Sequence, residues 1–202
     1  MKTIEELLLE VKEDKKDNLS TTSFQFKRDL WSFFRGFNDK VCVEFGTHKG
    51  QTTRILSFLF KKVYTINNNN NETAKQLNYD RDNIEYLNFD LYQNHTLDIH
   101  ESIDVFLVDA GHMYDQVIMD INRIFSMPCS TECYIVFDDY GCNVHKDSVK
   151  LAIDNAIQNN YISVIKKIGH KAGHNFGSGA KGGLDRILED HEGLITKINW
   201  LE

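Results

Sequence analysis

From residue 40 onward, short apolar runs alternate with stretches of helical periodicity, and this alternation constrains the chain more than any other feature. The runs are KVCVEF, VYTI, NIEYL, IDVFLV, CYIVF, YISVIKKI and LITKINW, starting at Lys40, Val63, Asn83, Ile103, Cys133, Tyr161 and Leu194. Each is short enough to be a strand, and all but the last are closed by Gly, Asp or Asn. VFLV and YIVF show no polar alternation, as expected of strands buried on both faces. Between the runs, Gln51–Phe60, Glu72–Tyr79, Tyr114–Phe125 and Lys146–Gln158 carry apolar residues at helical spacing. Strand and helix in turn predict an α/β fold: a seven-stranded, mostly parallel sheet flanked by helices.

The segment before residue 39 has a different character. Ile4, Leu7, Leu8 and Val11 lie on one face of an amphipathic helix within residues 2–16. The Ser20 to Ser23 cluster supplies an N-cap for a second helix carrying Phe26, Leu30, Phe33, Phe34 and Phe37. Residues 1–38 therefore read as a helical extension packed on a domain of residues 39–202, with a substrate lid as the alternative. The opening residues lack the apolar core of a signal peptide, and no run reaches the length of a membrane span. Four cysteines in 202 residues are too few for a disulfide scaffold, and they read as free thiols of a cytoplasmic protein. A zinc site from Cys129, Cys133, Cys142 and His145 matches no common ligand spacing. With 23 Lys and Arg against 30 Asp and Glu, the net charge is -7, which does not suit a nucleic-acid-binding face. A Gly-rich stretch, residues 169–183, reads as a mobile loop, and His170 and His174 within it as exposed side chains.

Three strand ends carry the chemistry. The first run leads into Glu44-Phe45-Gly46-Thr47-His48-Lys49-Gly50-Gln51-Thr52-Thr53. Gly46 permits a tight turn, and Gly50 permits close approach to the next helix. In open parallel sheets such a turn faces the ligand crevice, although plain loop closure also accounts for a Gly-x-x-x-Gly. The dinucleotide pattern G-x-G-x-x-G is not met, since His48 and Gln51 stand where glycines are needed. The fourth run ends in Asp109, with His112 three residues later, and the fifth ends in Asp138 and Asp139. Three carboxylates on one rim make an oxygen-rich site suited to Mg2+ or Ca2+. The alternative is that one or both adjacent acids cap the following loop.

EFGTHKGQTT, FLVDAGHMYDQVIMDI and YIVFDDYG with the later VKLAIDNAI together resemble the class I S-adenosylmethionine-dependent methyltransferases. Within them the chain is most similar to the macrocin-type sugar O-methyltransferases and, more distantly, to the catechol-type enzymes. The resemblance covers roughly residues 40 to 160. It implies a Rossmann-like fold and transfer of a methyl group from S-adenosyl-L-methionine to a hydroxyl of a small acceptor, with Mg2+ assistance; charge and hydropathy add the expectation of no nucleic-acid or membrane partner. It also implies that Glu44, Gly46, Thr47, Gly50 and Thr53 belong to the turn that holds the methionine end of the cofactor. Asn67 would meet the ribose, Asp90 the adenine and Asp109 the cofactor rim. Asp109, Asp138 and Asp139 would hold the metal, and His112 would be the catalytic base. Asn67 departs from the family, which usually has an acid there: an amide offers one acceptor oxygen and no charge. A cofactor-binding module without catalysis, or other metal-assisted chemistry such as hydrolysis, are the competing readings.

Overall fold

The computed structural model describes residues 2–11, 22–93, 96–171 and 189–200. In chain order the elements are α1 (Ile4–Glu10), α2 (Phe24–Phe34), β1 (Val41–Phe45), α3 (Gln51–Leu59), β2 (Lys62–Asn67), α4 (Glu72–Leu77), β3 (Ile84–Asn88), β4 (Ile103–Val108), α5 (Tyr114–Ser126), β5 (Cys129–Phe137), α6 (Leu151–Gln158), β6 (Ile162–Ile168) and β7 (Gly193–Ile198). The seven strands form one sheet in the order β3-β2-β1-β4-β5-β7-β6. All neighbours run parallel except β7, which is antiparallel to both β5 and β6. The sheet starts at β1, winds outward to β3, then returns to β4 on the other side of β1. That reversal opens a crevice at the carboxyl ends of β1 and β4.

Both sheet faces are covered, which explains the unbroken apolar runs. On one face, Val43, Phe45, Phe106 and Ile135 pack against Val117, Ile121 and Ile124 of α5 and Ala152, Ile153 and Ala156 of α6. On the other, Cys42, Val63, Val105 and Val136 meet Leu7 of α1, Phe26, Leu30 and Phe34 of α2, and Ile55 and Leu56 of α3. The N-terminal helices thus complete a core layer. Ser23 caps α2, its side chain accepting a hydrogen bond from the Phe26 N–H at 3.0 Å. Phe34 stacks edge-on against Phe33, Phe37 and Tyr134.

Two boundaries differ from the sequence expectation by four residues or more. β5 begins at Cys129, four residues before the apolar run at Cys133. Its first residues are polar because they lie at the exposed amino-terminal rim, where a bulge between Ile103 and Val105 shifts the register against β4. The helix expected from Lys146 opens with one wide π turn, Lys146–Lys150, before α6 proper. Ser20 and most of the Gly-rich stretch, residues 172–183, lie outside the described residues, as does His174. Among the described residues no helix is long and apolar enough to cross a membrane.

Candidate active site

Strand register builds the site. Phe45 is paired with both Ile66 and Val108, and Val108 with Phe137. The next residue of each strand therefore emerges in one row. The ladder continues one step past the strands: Phe89 N–H donates to the Asn67 carbonyl, Gly46 to Ile66, Asp109 to Phe45 and Asp138 to Val108, at 2.9, 2.9, 2.9 and 3.2 Å. Asn67, Gly46, Asp109 and Asp138 are thereby fixed side by side by backbone hydrogen bonds, before any side-chain contact is considered.

Above this row lies a cavity of about 500 Å³. At one end it is bounded by Asn67, Asn68, Asn69 and Asp90, and at the other by Asp138, Asp139, His112 and His145, with Gly46 and Asp109 between. The glycine at position 46 is required there. Its φ is +99°, and a Cβ would stand 1.8 Å from the Asp109 carbonyl oxygen. Gly50, at φ +81°, instead allows α3 to approach α4, since a Cβ would come within 2.7 Å of the Ala74 side chain.

Glu44, Thr47, Gly50 and Thr53 do not line the cavity; they brace the turn beside it. The buried Glu44 carboxylate accepts hydrogen bonds from the hydroxyls of Thr53 at 2.5 Å and Thr65 at 2.6 Å. Thr65 in turn meets the Thr47 hydroxyl at 2.7 Å. Glu44 Oε1 has no protein partner, and burial pushes the carboxyl up to about 7. Asp90 does face the cavity. One of its oxygens accepts from the Tyr92 N–H and the other from the Gln93 side chain, both at 3.0 Å.

The acidic end is electrostatically tense. One carboxylate oxygen from each of Asp109, Asp138 and Asp139 lies within 4.8 Å of the others. Asp138 is only 8% exposed, and its Oδ1 has no protein partner. Burial, then the Asp139 charge, raise the carboxyls of Asp109 and Asp138 above the ordinary range. Asp139 sits in the left-handed region at φ +58°, a conformation that aspartate tolerates better than most residues. Its Oδ2 lies 2.8 Å from His112 Nε2. A carboxylate only accepts, so His112 Nε2 carries the proton in that bond, and the contact raises the imidazole above its usual range.

Three further groups were not assigned to this site from sequence, where His145 was weighed only with the cysteines. His145 stacks on His112 with ring centres 4.6 Å apart. Glu192, just before β7, lines the cavity and ties α2 to the site by accepting from the Ser23 N–H at 3.0 Å. Lys27, on the buried face of α2, donates to the Thr22 hydroxyl at 2.6 Å. Burial lowers its ammonium to about 8, opposed by the charges of Asp138, Glu192, Asp109 and Glu44. A lysine among the phenylalanines of α2 was the only available signal for it.

A family model described as a methyltransferase domain matches residues 43–140, the segment from β1 through the end of β5. Residues 43–140, just under half of the chain, are thus similar to a methyltransferase domain. The whole described chain has the Rossmann-like fold of class I methyltransferases. An O-methyltransferase from Bacillus cereus, solved with S-adenosylhomocysteine, superposes with a TM-score of 0.65 at 15% identity, covering 97% of this chain and 90% of that one. The N-methyltransferase NodS from Bradyrhizobium japonicum gives 0.62 at 14% identity, covering 98% of both chains. The tRNA (m1A58) methyltransferase TrmI from Aquifex aeolicus gives 0.61 at 17%, covering 100% of this chain and 77% of that one. No curated protein matches the chain in sequence.

Proposed function

We propose that the chain is an S-adenosylmethionine-dependent O-methyltransferase acting on a hydroxyl of a small acceptor, with a divalent cation held by Asp109, Asp138 and Asp139. The similar folds include an O-methyltransferase, an N-methyltransferase and a tRNA methyltransferase, so the fold by itself carries no acceptor class. The observation that carries the reading is the acidic end of the cavity. A buried carboxylate oxygen without a donor is costly, and Asp138 Oδ1 is one. Three converging carboxylate oxygens fit a hard divalent cation, and the cavity size lies within the ~300–1,000 Å³ usual for ligand pockets.

The nucleoside end has a matching chemistry. Asn67, Asn68 and Asn69 offer amide donors and acceptors where a ribose would lie, and Asp90, held by Tyr92 and Gln93, fits an exocyclic amino group. Glu44, Thr53, Thr65 and Thr47 form a hydroxyl–carboxylate brace that fixes the Gly46 turn. S-adenosylmethionine, when bound, supplies the methyl group already attached to its leaving sulfur. A cation, when bound, lowers the pKa of an acceptor hydroxyl and fixes its direction. The chain's own part is to align the two and to receive the proton. Asp139 holds His112 by its Nε2–H, which leaves Nδ1 as the basic nitrogen. The net charge of -7 and the acids around the cavity disfavour a polyanionic acceptor.

Calorimetry with S-adenosylhomocysteine tests the nucleoside end. Methyl transfer to diols, sugars and a short RNA, each with and without EDTA, tests the acceptor and the cation. The expected result is hydroxyl methylation that EDTA abolishes. Turnover on RNA alone, or full activity in EDTA, contradicts the proposal; cofactor binding without turnover on any acceptor marks a non-catalytic module.

A further inference from the structure

We propose that His112, Asp139 and His145 form a second cation site beside the acidic one, selective for nitrogen-accepting transition ions such as Zn2+ or Co2+, whose occupation switches methyl transfer off. The inhibitory part rests on the O-methyltransferase reading above; the site itself does not. The two histidines reach it from different segments. His112 precedes α5, and His145 ends a short 3-10 turn, Asn143–His145, after β5. Their rings lie 4.6 Å apart and within 20° of parallel. Both direct the same atom, Nε2, toward one oxygen: Asp139 Oδ2 is 2.8 Å from His112 Nε2 and 3.9 Å from His145 Nε2. One donor atom from each of the three residues falls within 4.8 Å of the other two. Ligands about 2.0–2.2 Å from a common zinc stand at comparable separations, so a tetrahedral ion needs only small side-chain shifts.

The donor set determines which ion is preferred. Two imidazoles and one carboxylate suit zinc, cobalt, nickel or copper, whereas Mg2+ and Ca2+ prefer oxygen alone. Entry is open, since the side chains of His112 and His145 are 43% and 23% exposed. The ion would take His112 Nε2 in place of the proton shared with Asp139, and that proton would pass to Nδ1, the nitrogen otherwise basic. Asp139 belongs to both clusters, so an ion between the histidines withdraws a ligand from the acidic site. It also takes the imidazole assigned to receive the substrate's proton. One transition ion would thus remove two parts of the machinery together.

Co2+ absorption spectroscopy provides the test, with affinities measured on the full chain without other metals. The wild type should show intense visible bands of low-coordinate, nitrogen-ligated Co2+, displaced by one equivalent of Zn2+ and not by millimolar Mg2+. His145→Phe keeps an aromatic ring against His112 but removes the ligand nitrogen; it should weaken Co2+ binding at least tenfold. Asp138→Asn lies outside the donor set and should leave the Co2+ bands in place while weakening Mn2+ binding at the acids. Zn2+ should inhibit methyl transfer in the wild type, with the inhibition shifted at least tenfold in His145→Phe, or measured by Co2+ affinity alone where that variant is inactive. Only weak octahedral bands, or equal Co2+ affinity in wild type and His145→Phe, overturn the site. Tight Co2+ binding without Zn2+ inhibition of an active enzyme overturns the switch. Failure of S-adenosylhomocysteine to bind overturns the methyltransferase reading instead, and leaves the spectroscopic result to decide the site.

Discussion

Replacing Gly46 by alanine perturbs the one backbone position on which the row of strand ends depends. The new Cβ would lie 1.8 Å from the Asp109 carbonyl oxygen, 2.6 Å from its carbon and 3.1 Å from Ala110 Cα. Non-bonded carbon contacts settle near 3.5 Å or beyond, so the exit of β4 must move by roughly 1.5 Å. All three obstructing atoms are backbone, and no side chain can swing away to relieve the contact. The left-handed φ of +99° adds about 1–2 kcal/mol for a residue with a Cβ. Overpacking of this kind costs about 1–3 kcal/mol, and loss of the Asp109 N–H bond to Phe45 costs about 1 kcal/mol more. The sum is about 3–6 kcal/mol, or a fall of roughly 10–20 °C in Tm for a chain this long. Urea denaturation with and without S-adenosylhomocysteine measures it, and the surviving folded protein should also lose affinity for Mn2+, because Asp109 moves with its backbone. A variant within 1 kcal/mol of wild type, with unchanged ligand affinities, would refute the argument that close passage of β1 and β4 builds the site.

Four further outcomes are expected. Asp138→Asn relieves the charge on an oxygen that lacks a donor, so it should weaken divalent-cation binding at least tenfold without loss of stability, as calorimetry and melting together would show. Glu44 carries its proton up to about 7 in the folded state but only to about 4.5 when unfolded, so its burial opposes folding as pH rises through that interval. The stability of wild type relative to Glu44→Gln should therefore fall by about 3 kcal/mol between pH 4.5 and 7; a flat difference would count against a buried, strained carboxyl. The His112 imidazole is raised by Asp139, and a base must be neutral to act, so kcat/KM should rise with pH through a midpoint above 6.5, and His112→Ala should abolish that limb. Phe34→Ala removes a fully buried ring from the layer shared by α2 and the sheet, and about 3–5 kcal/mol of stability should go with it; a loss below 1 kcal/mol would mean that α2 is not part of the core.

The sheet was legible because its signal is local. IDVFLV became β4 with the same ends, Ile103 and Val108, since an apolar run closed by an aspartate states both its burial and its exit. The row of Asn67, Gly46, Asp109 and Asp138 followed from strand ends plus a parallel sheet, although register itself is a property of pairs of strands. What escaped has no local signature. β5 starts at Cys129 because β4 offers it backbone partners, not because CSTE looks like a strand. Lys27 and Glu192 are 165 positions apart in sequence, yet the fold places both beside the acids from opposite ends of the chain. His145 could not be paired with His112 without knowing that the turn after β5 folds back over the loop after β4. Gly50 and Thr53, read from the same motif as Gly46, support the cradle from behind because a helix start has two sides.

In the proposed reading a nucleoside sulfonium and an acid-held cation share one crevice. Proton relaxation of the S-methyl group of S-adenosylmethionine, bound to the protein and titrated with Mn2+, reads that separation directly. Strong Mn2+-dependent relaxation in the wild type, absent in Asp138→Asn, is the predicted result. An S-methyl signal that tight Mn2+ binding leaves untouched would place the two ligands apart and contradict the account.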